Sequence, residues 1–151
     1  MNGIFRNQLI LFTVMFLVGI SLNPMNILAY RLSDIYLSLT LMYSGLLMAS
    51  NMIWSHQIVH YVSIGHFDIK IFTVGILLSI ISIFLLRSQL FVSSDQWLKR
   101  MIGHHSTAIT TTKQLLANNN NFTNNSYLFT LAKNLEYEQD REILFMKNML
   151  Q

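Results

Sequence analysis

The stretch IYLSLTLMYSGLLMASNMIW, residues 35–54, runs for twenty residues without one that is charged at neutral pH. About 20 apolar residues span the hydrocarbon core of a bilayer. An isolated span must satisfy its own backbone hydrogen bonds, so the run reads as a helix and not as a strand. A second apolar run precedes it, over residues 9–29, interrupted by Asn23, Pro24 and Asn26. A third follows over residues 71–86, flanked by Lys70 and Arg87, whose long side chains reach the interfaces, and is extended by residues 90–92. The sequence predicts three transmembrane helices, at about 9–29, 35–56 and 70–91. Arg6 before the first run resembles the start of a secretory signal. No small-x-small cleavage site follows it, and two more spans do, so a retained anchor is expected.

Composition agrees. Of the 151 residues, 52% are apolar and 11% charged, against roughly 25% charged in a soluble domain. The mean hydropathy is +0.42. Such a chain cannot cover a globular surface with ions, which points away from a soluble enzyme and toward a multi-pass membrane protein in contact with the lipid bilayer. Ten Lys and Arg against seven Asp and Glu give a net charge of +3. The basic residues are scattered, so no phosphate footprint and no nucleic-acid partner is expected. Arg6 and Lys70 lie on one side of the spans, and Arg31, Arg87, Lys99 and Arg100 on the other. Taken literally this puts the C-terminal segment in the cytoplasm. Lys99 and Arg100 belong to a folded segment, however, and the side is left open. Cysteine is absent, which excludes disulfides and thiolate chemistry; nine Met and five His remain as soft or borderline ligands.

Residues 93–151 differ from residues 1–92, the membrane domain. Ser93 with Gln96 makes a capping box, and Asp95 suits a first turn, so a helix over 95–117 is predicted. ANNNNFTNN, residues 117–125, reads as a loop, and a second helix follows over 126–150. Two helices on a short loop form an antiparallel hairpin, giving an all-α fold of three spans followed by that hairpin.

At 100° per residue, Trp97, Met101, Ala108, Thr112 and Leu115 share one side of the first helix with Leu98 and Leu116 close by, His105 inside that stripe and His104 at its margin. The second helix lines up Leu128, Leu131, Leu135, Gln139, Glu142, Met146 and Met149. Antiparallel pairing sets His105 opposite Gln139, and Met101 between Glu142 and Met146. Thioether with imidazole suits copper, especially Cu(I), or silver. On this reading Met101, His104, His105 and Met146 are the metal ligands, with Gln139 and Glu142 orienting the imidazoles or ligating weakly. On the alternative reading the histidines are satisfied by neighbouring carboxylates or carbonyls and the methionines fill space. No Glu-x-x-His pair is present, so di-iron chemistry is not expected. In the second span Met48, Met52, His56 and His60 recur every four residues. They read either as a relay for a soft cation or as packing methionines and interfacial histidines.

MIGHHSTAI at 101–109 and QDREILFM at 139–146 resemble domain-of-unknown-function family 305. Its pattern is Met-Ile-Pro-His-His-x-x-Ala-Ile, then Gln-x-x-Glu-Ile-x-x-Met. Met101, Ile102, His104, His105, Ala108, Ile109, Gln139, Glu142, Ile143 and Met146 match, and Gly103 stands where many members have proline. The apolar spans ahead of it look like a membrane-anchored subgroup. The resemblance implies a ferritin-like helical half-bundle and, for some members, copper or silver bound through methionine and histidine. The expectation is membrane-anchored binding or sequestration of copper. The alternative is an interaction module whose hairpin forms a homo-oligomer, since two helices rarely bury a stable core alone. No nucleophile–base pair or phosphate loop suggests an enzyme.

Overall fold

The computed structural model describes residues 3–118 and 126–150, and every regular element in them is helical. In order these are α1 (Gly3–Ser21), α2 (Pro24–Ile27), a 3-10 turn (Leu32–Asp34), α3 (Leu39–Ile64), α4 (Ile69–Ser88), α5 (Ser94–Ala117) and α6 (Ser126–Met149). The chain is all-α. It divides into two units. One takes the residues up to Asn23 together with Leu39–Val92; the other takes Pro24–Ser38 together with the residues from Ser93 on. The division expected from sequence is therefore incomplete, because Pro24–Ser38 groups with the C-terminal helices and not with the apolar ones.

In the first unit α3 packs against both α1 and α4. Glycines set how closely. A Cβ on Gly19 would lie 3.0 Å from the Gly45 Cα, and one on Gly45 would meet Ile20 Cγ2 at 2.6 Å. Between α3 and α4, a Cβ on Gly75 would come within 2.9 Å of the Trp54 backbone nitrogen. Ala49, Ser50, Ser79 and Ser82 are also buried, and Ser79 Oγ donates to Asn51 Oδ1 at 3.0 Å. Small residues with polar cross-links are how helices pack when apolar burial does not distinguish a neighbouring helix from lipid. The outer faces are the reverse of a soluble protein's: Leu9, Ile10, Val14 and Leu17 on α1, and Val74, Leu77, Ile80, Ile81 and Phe84 on α4, are all exposed.

Among the described residues, two stretches are long and apolar enough to cross a membrane, Phe5–Ile27 and Ile69–Ser88. The second matches the predicted 70–91, shortened at its end. Asp68 caps it, accepting from Lys70 N at 3.0 Å and Ile71 N at 3.2 Å, and left-handed Gln89 (φ 49°) closes it. The first is broken after Ser21, and Pro24 opens the short α2, as proline suits a first helical turn. The span expected at 35–56 is not one of the two: residues 35–38 are not helical, and α3 runs on to Ile64. No breaker interrupts it before Gly65, whose φ of 76° turns the chain. Ser44, Ser50, Asn51, Ser55, His56, Gln57 and His60 lie in α3 and make it more polar than the other two.

In the second unit α5 begins on Ser93, whose hydroxyl accepts from Gln96 N as the capping box requires. Asn118 closes α5; the rest of the Asn-rich loop expected at 117–125 lies outside the described residues. Leu98, Ile102 and Ile109 of α5 pack with Ile143 and Met146 of α6, and Tyr36, Met101 and Leu150 border that cluster. His105 contacts Glu142 while Lys113 contacts Glu136, so numbers rise along one helix as they fall along the other. The register differs by about one turn from expectation: His105 faces Glu142 and not Gln139.

Pro24–Ser38 straps this pair by polar contacts. Asp34 is fully buried and accepts from Ser106 Oγ at 2.7 Å and Lys147 Nζ at 2.5 Å. Ser106 Oγ also accepts from Tyr30 N at 2.8 Å. Arg31 pairs with Asp140 at 2.8 Å, and Thr107 Oγ1 donates to Met25 O at 3.0 Å. Gly103 lies under this strap, its Cβ position 3.6 Å from Met25 Sδ.

Candidate functional site

The predicted metal-binding level of α5 and α6 is only partly assembled. His105 Nδ1 lies 2.8 Å from Met101 O, and its Nε2 2.8 Å from Glu142 Oε2. A carbonyl and a carboxylate both accept, so both bonds form together only when both ring nitrogens carry protons. A neutral ring keeps one of the two: Nδ1–H to the carbonyl leaves the lone pair on Nε2 facing Glu142, and Nε2–H to Glu142 leaves it on Nδ1 facing the carbonyl. His104 diverges. It is exposed, with its ring centroid 5.9 Å from that of His105. Met146 is 7% exposed inside the apolar cluster, and Met101 borders it. Gln139 does not meet His105; its Oε1 is buried without a hydrogen-bond partner. Among the described residues, no group of three or more His, Asp and Glu is arranged to hold a metal ion.

The stripes read from periodicity only partly coincide with the tertiary seam: Met146 lies in it and Met101 at its border, while most of the other apolar stripe residues lie to one side. Buried on α5 are Leu98, Ile102, Ser106 and Ile109, about 120° round the helix from Trp97, Met101, Ala108 and Leu115. Buried on α6 are Ala132, Ile143 and Met146, about 90° from the middle of the band formed by Leu128, Leu131, Leu135, Phe145 and Met149. For antiparallel helices these two offsets put both bands on one side of the pair. The residues that meet the strap, Ser106, Lys113, Asp140 and Lys147, are offset the other way. The band is accordingly uncovered: Trp97 is 52% exposed, and Leu128, Leu131, Leu135, Phe145 and Met149 range from 37% to 66%.

Two cations of this unit are perturbed. Lys113 donates to Tyr30 Oη at 2.5 Å, which, with lesser help from Glu136, holds its ammonium above the usual range. Arg100 is pushed down from its usual value by burial; its Nη1 contacts Met25 Sδ at 2.8 Å. Asp34, Ser106 and Lys147 escaped the sequence reading. The one available signal was a carboxylate set among apolar residues, the first in the chain.

The relay residues lie along α3. Met48 is at the α1 contact, its Sδ 3.2 Å from the Cβ position of Gly19, and Met52 is half-buried. His56 and His60 have ring centroids 6.0 Å apart, and His60 and His66 5.5 Å apart.

No protein-family model matches the chain, and no solved structure matches it. It is similar to an uncharacterized protein of Acanthamoeba polyphaga mimivirus, with 33% identity over 151 residues covering 96% of this chain and 93% of that protein. At that identity and coverage, the chain belongs to the same family as the mimivirus protein.

Proposed function

We propose that this protein is a membrane-anchored interaction module in which α1, α3 and α4 cross the bilayer and the α5–α6 pair docks on the same pair of a second copy. The uncovered band on one side of α5 and α6 carries the reading. A contiguous apolar face of this kind marks an interaction site. Glu138, Glu142 and His104 stand in or beside the band. Such groups are costly in hydrocarbon but pair readily across a protein interface, which favours a second copy over lipid as the cover. Two such pairs make a four-helix bundle, in keeping with the family-305 resemblance. For the anchor, the support is the inside-out distribution of the first unit. Thr40, Ser50 and Gln57 of α3 are buried while the outer faces of α1 and α4 are apolar, which suits three spans with α3 between the others.

The expected result is that the full chain in mild detergent cross-links and sediments as a dimer. Leu131→Glu with Leu135→Glu should make it a monomer at unchanged helicity, weakening association at least 100-fold. A wild-type chain that is monomeric at all accessible concentrations overturns the docking. Loss of vesicle binding without a change in oligomeric state would assign the band to lipid instead.

A second reading, copper at this same level, is favoured by the Met101 carbonyl, which accepts from Nδ1–H of His105 when Nε2 turns from Glu142 to a metal ion. It predicts that His105→Ala lowers Cu(I) affinity more than His104→Ala, with Met101→Leu intermediate. Met146→Leu should have little effect, because that sulfur is packed in the core. Chelator competition on the four variants checks this, and equal affinities throughout would remove the site.

A further inference from the structure

The first unit holds a histidine-lined cavity of its own. It has a volume of about 610 Å³. Its polar lining comes from three places: Asn7 and Gln8 of α1, His56, Gln57 and His60 of α3, and His66 of the turn that follows.

His56 and His60 sit one turn apart on α3, and an i, i+4 pair of imidazoles on one helix face is a spacing that binds a single metal ion. Gly65, at φ 76°, ends the helix and folds His66 back beside them. The bonds on the ring nitrogens prepare ligands. His60 Nδ1 lies 3.0 Å from the His66 carbonyl, to which it can only donate, so the neutral ring keeps its lone pair on Nε2. His56 Nδ1 lies 3.1 Å from the Gln8 side-chain amide. With that amide turned to present its oxygen, His56 takes the same tautomer. In the opposite orientation Gln8 Oε1 is buried without a hydrogen-bond partner, so turning the amide satisfies that oxygen with the His56 proton. Gln57 is 3% exposed and already used, accepting from Asp68 N; it ties the α4 cap to this wall.

The spacing fits shared ligation. Metal–nitrogen bonds of about 2 Å put the ring centroids of two imidazoles on one tetrahedral ion about 5 Å apart. The observed separations are 6.0 and 5.5 Å, with His60 in the middle. The three rings are not yet convergent; His66 is exposed on a glycine turn and is the ligand that has to swing in. Nitrogen donors with amide oxygens, and no thioether among the lining residues, select a borderline divalent ion over soft Cu(I).

We infer that His56, His60 and His66 form a site for a borderline divalent transition-metal ion of the zinc class, with Gln8 orienting His56. The test is titration of the full chain in detergent with Zn²⁺ against a chromophoric chelator, in a His104→Ala, His105→Ala background that removes the other imidazoles. One Zn²⁺ per chain is expected. His60→Ala should weaken binding about 100-fold and His66→Ala at least tenfold. Gln8→Leu should cost about tenfold through loss of the orienting bond. Addition of Zn²⁺ should also raise the melting temperature of the background chain and not that of His60→Ala. Because His66 is exposed in a turn, its variant keeps the test valid should a helix variant misfold. No stoichiometric binding, or equal affinity in the His60 and His66 variants and the parent, overturns the site.

Discussion

Lys147→Met should lower the stability of the strapped α5–α6 unit by about 3 kcal/mol, the scale of leaving a buried carboxylate without its counter-ion. Asp34 is fully buried and Lys147 is 21% exposed in its side chain. Removing the lysine leaves the carboxylate with the Ser106 hydroxyl as its one remaining strong donor. Methionine keeps the stem volume, so packing changes little. The pair Asp34→Asn with Lys147→Met should recover most of the loss, because an amide still accepts from Ser106 and carries no charge to desolvate. Unfolding followed by Trp97 fluorescence in a Trp54→Phe background reads this unit. A Lys147→Met chain within 1 kcal/mol of the parent, on the scale of surface ion pairs, would mean that the pair is solvated and the strap is held otherwise.

Gly75→Leu should separate α4 from α3. Even the first carbon of a side chain there would sit 2.9 Å from the Trp54 backbone nitrogen and 3.0 Å from its Cβ, and a helix backbone cannot yield as a flexible side chain does. Overpacking in a close-packed site costs typically 1–3 kcal/mol, and a branched four-carbon side chain against backbone falls at or above the upper end. The Ser79–Asn51 hydrogen bond, one turn along α4, should be lost with it. In detergent the expected result is a lower melting temperature and protease cleavage in the turn after Gly65, whereas Ile81→Leu, on an exposed face, changes neither. A Gly75→Leu chain that melts with the parent would show that the two helices do not depend on this close approach.

Local chemistry was legible in the sequence. Ser93 marks a helix start because capping is decided within a few residues, and α4, α5 and α6 fall close to where the pattern puts them, whereas α3 overruns its expected end at 56 and stops only at Gly65. The all-α fold follows from apolar runs with no alternation and no closed set of strands. The level at which His105 packs was legible to about one turn: it meets Glu142, where the pattern set it against Gln139.

Three things needed the tertiary structure. Periodicity finds the middle of an apolar arc, and on α5 and α6 that arc is wider than one helix contact. The seam took Leu98, Ile102, Ile109 and Ile143 and left Trp97, Leu131 and Leu135 uncovered, a choice made by the strap on the other side. The strap itself was hidden because Pro24–Ser38 lies between two apolar runs, and a hydropathy reading extends both across it. Its attachment depends on Asp34 meeting Ser106 and Lys147, which are 72 and 113 residues away. The last is register. A slip of one helical turn keeps a stripe intact, so only the packed pair places His105 on Glu142 and not on Gln139. Helix ends are set by neighbours in sequence, while faces, straps and registers are set by partners far along the chain.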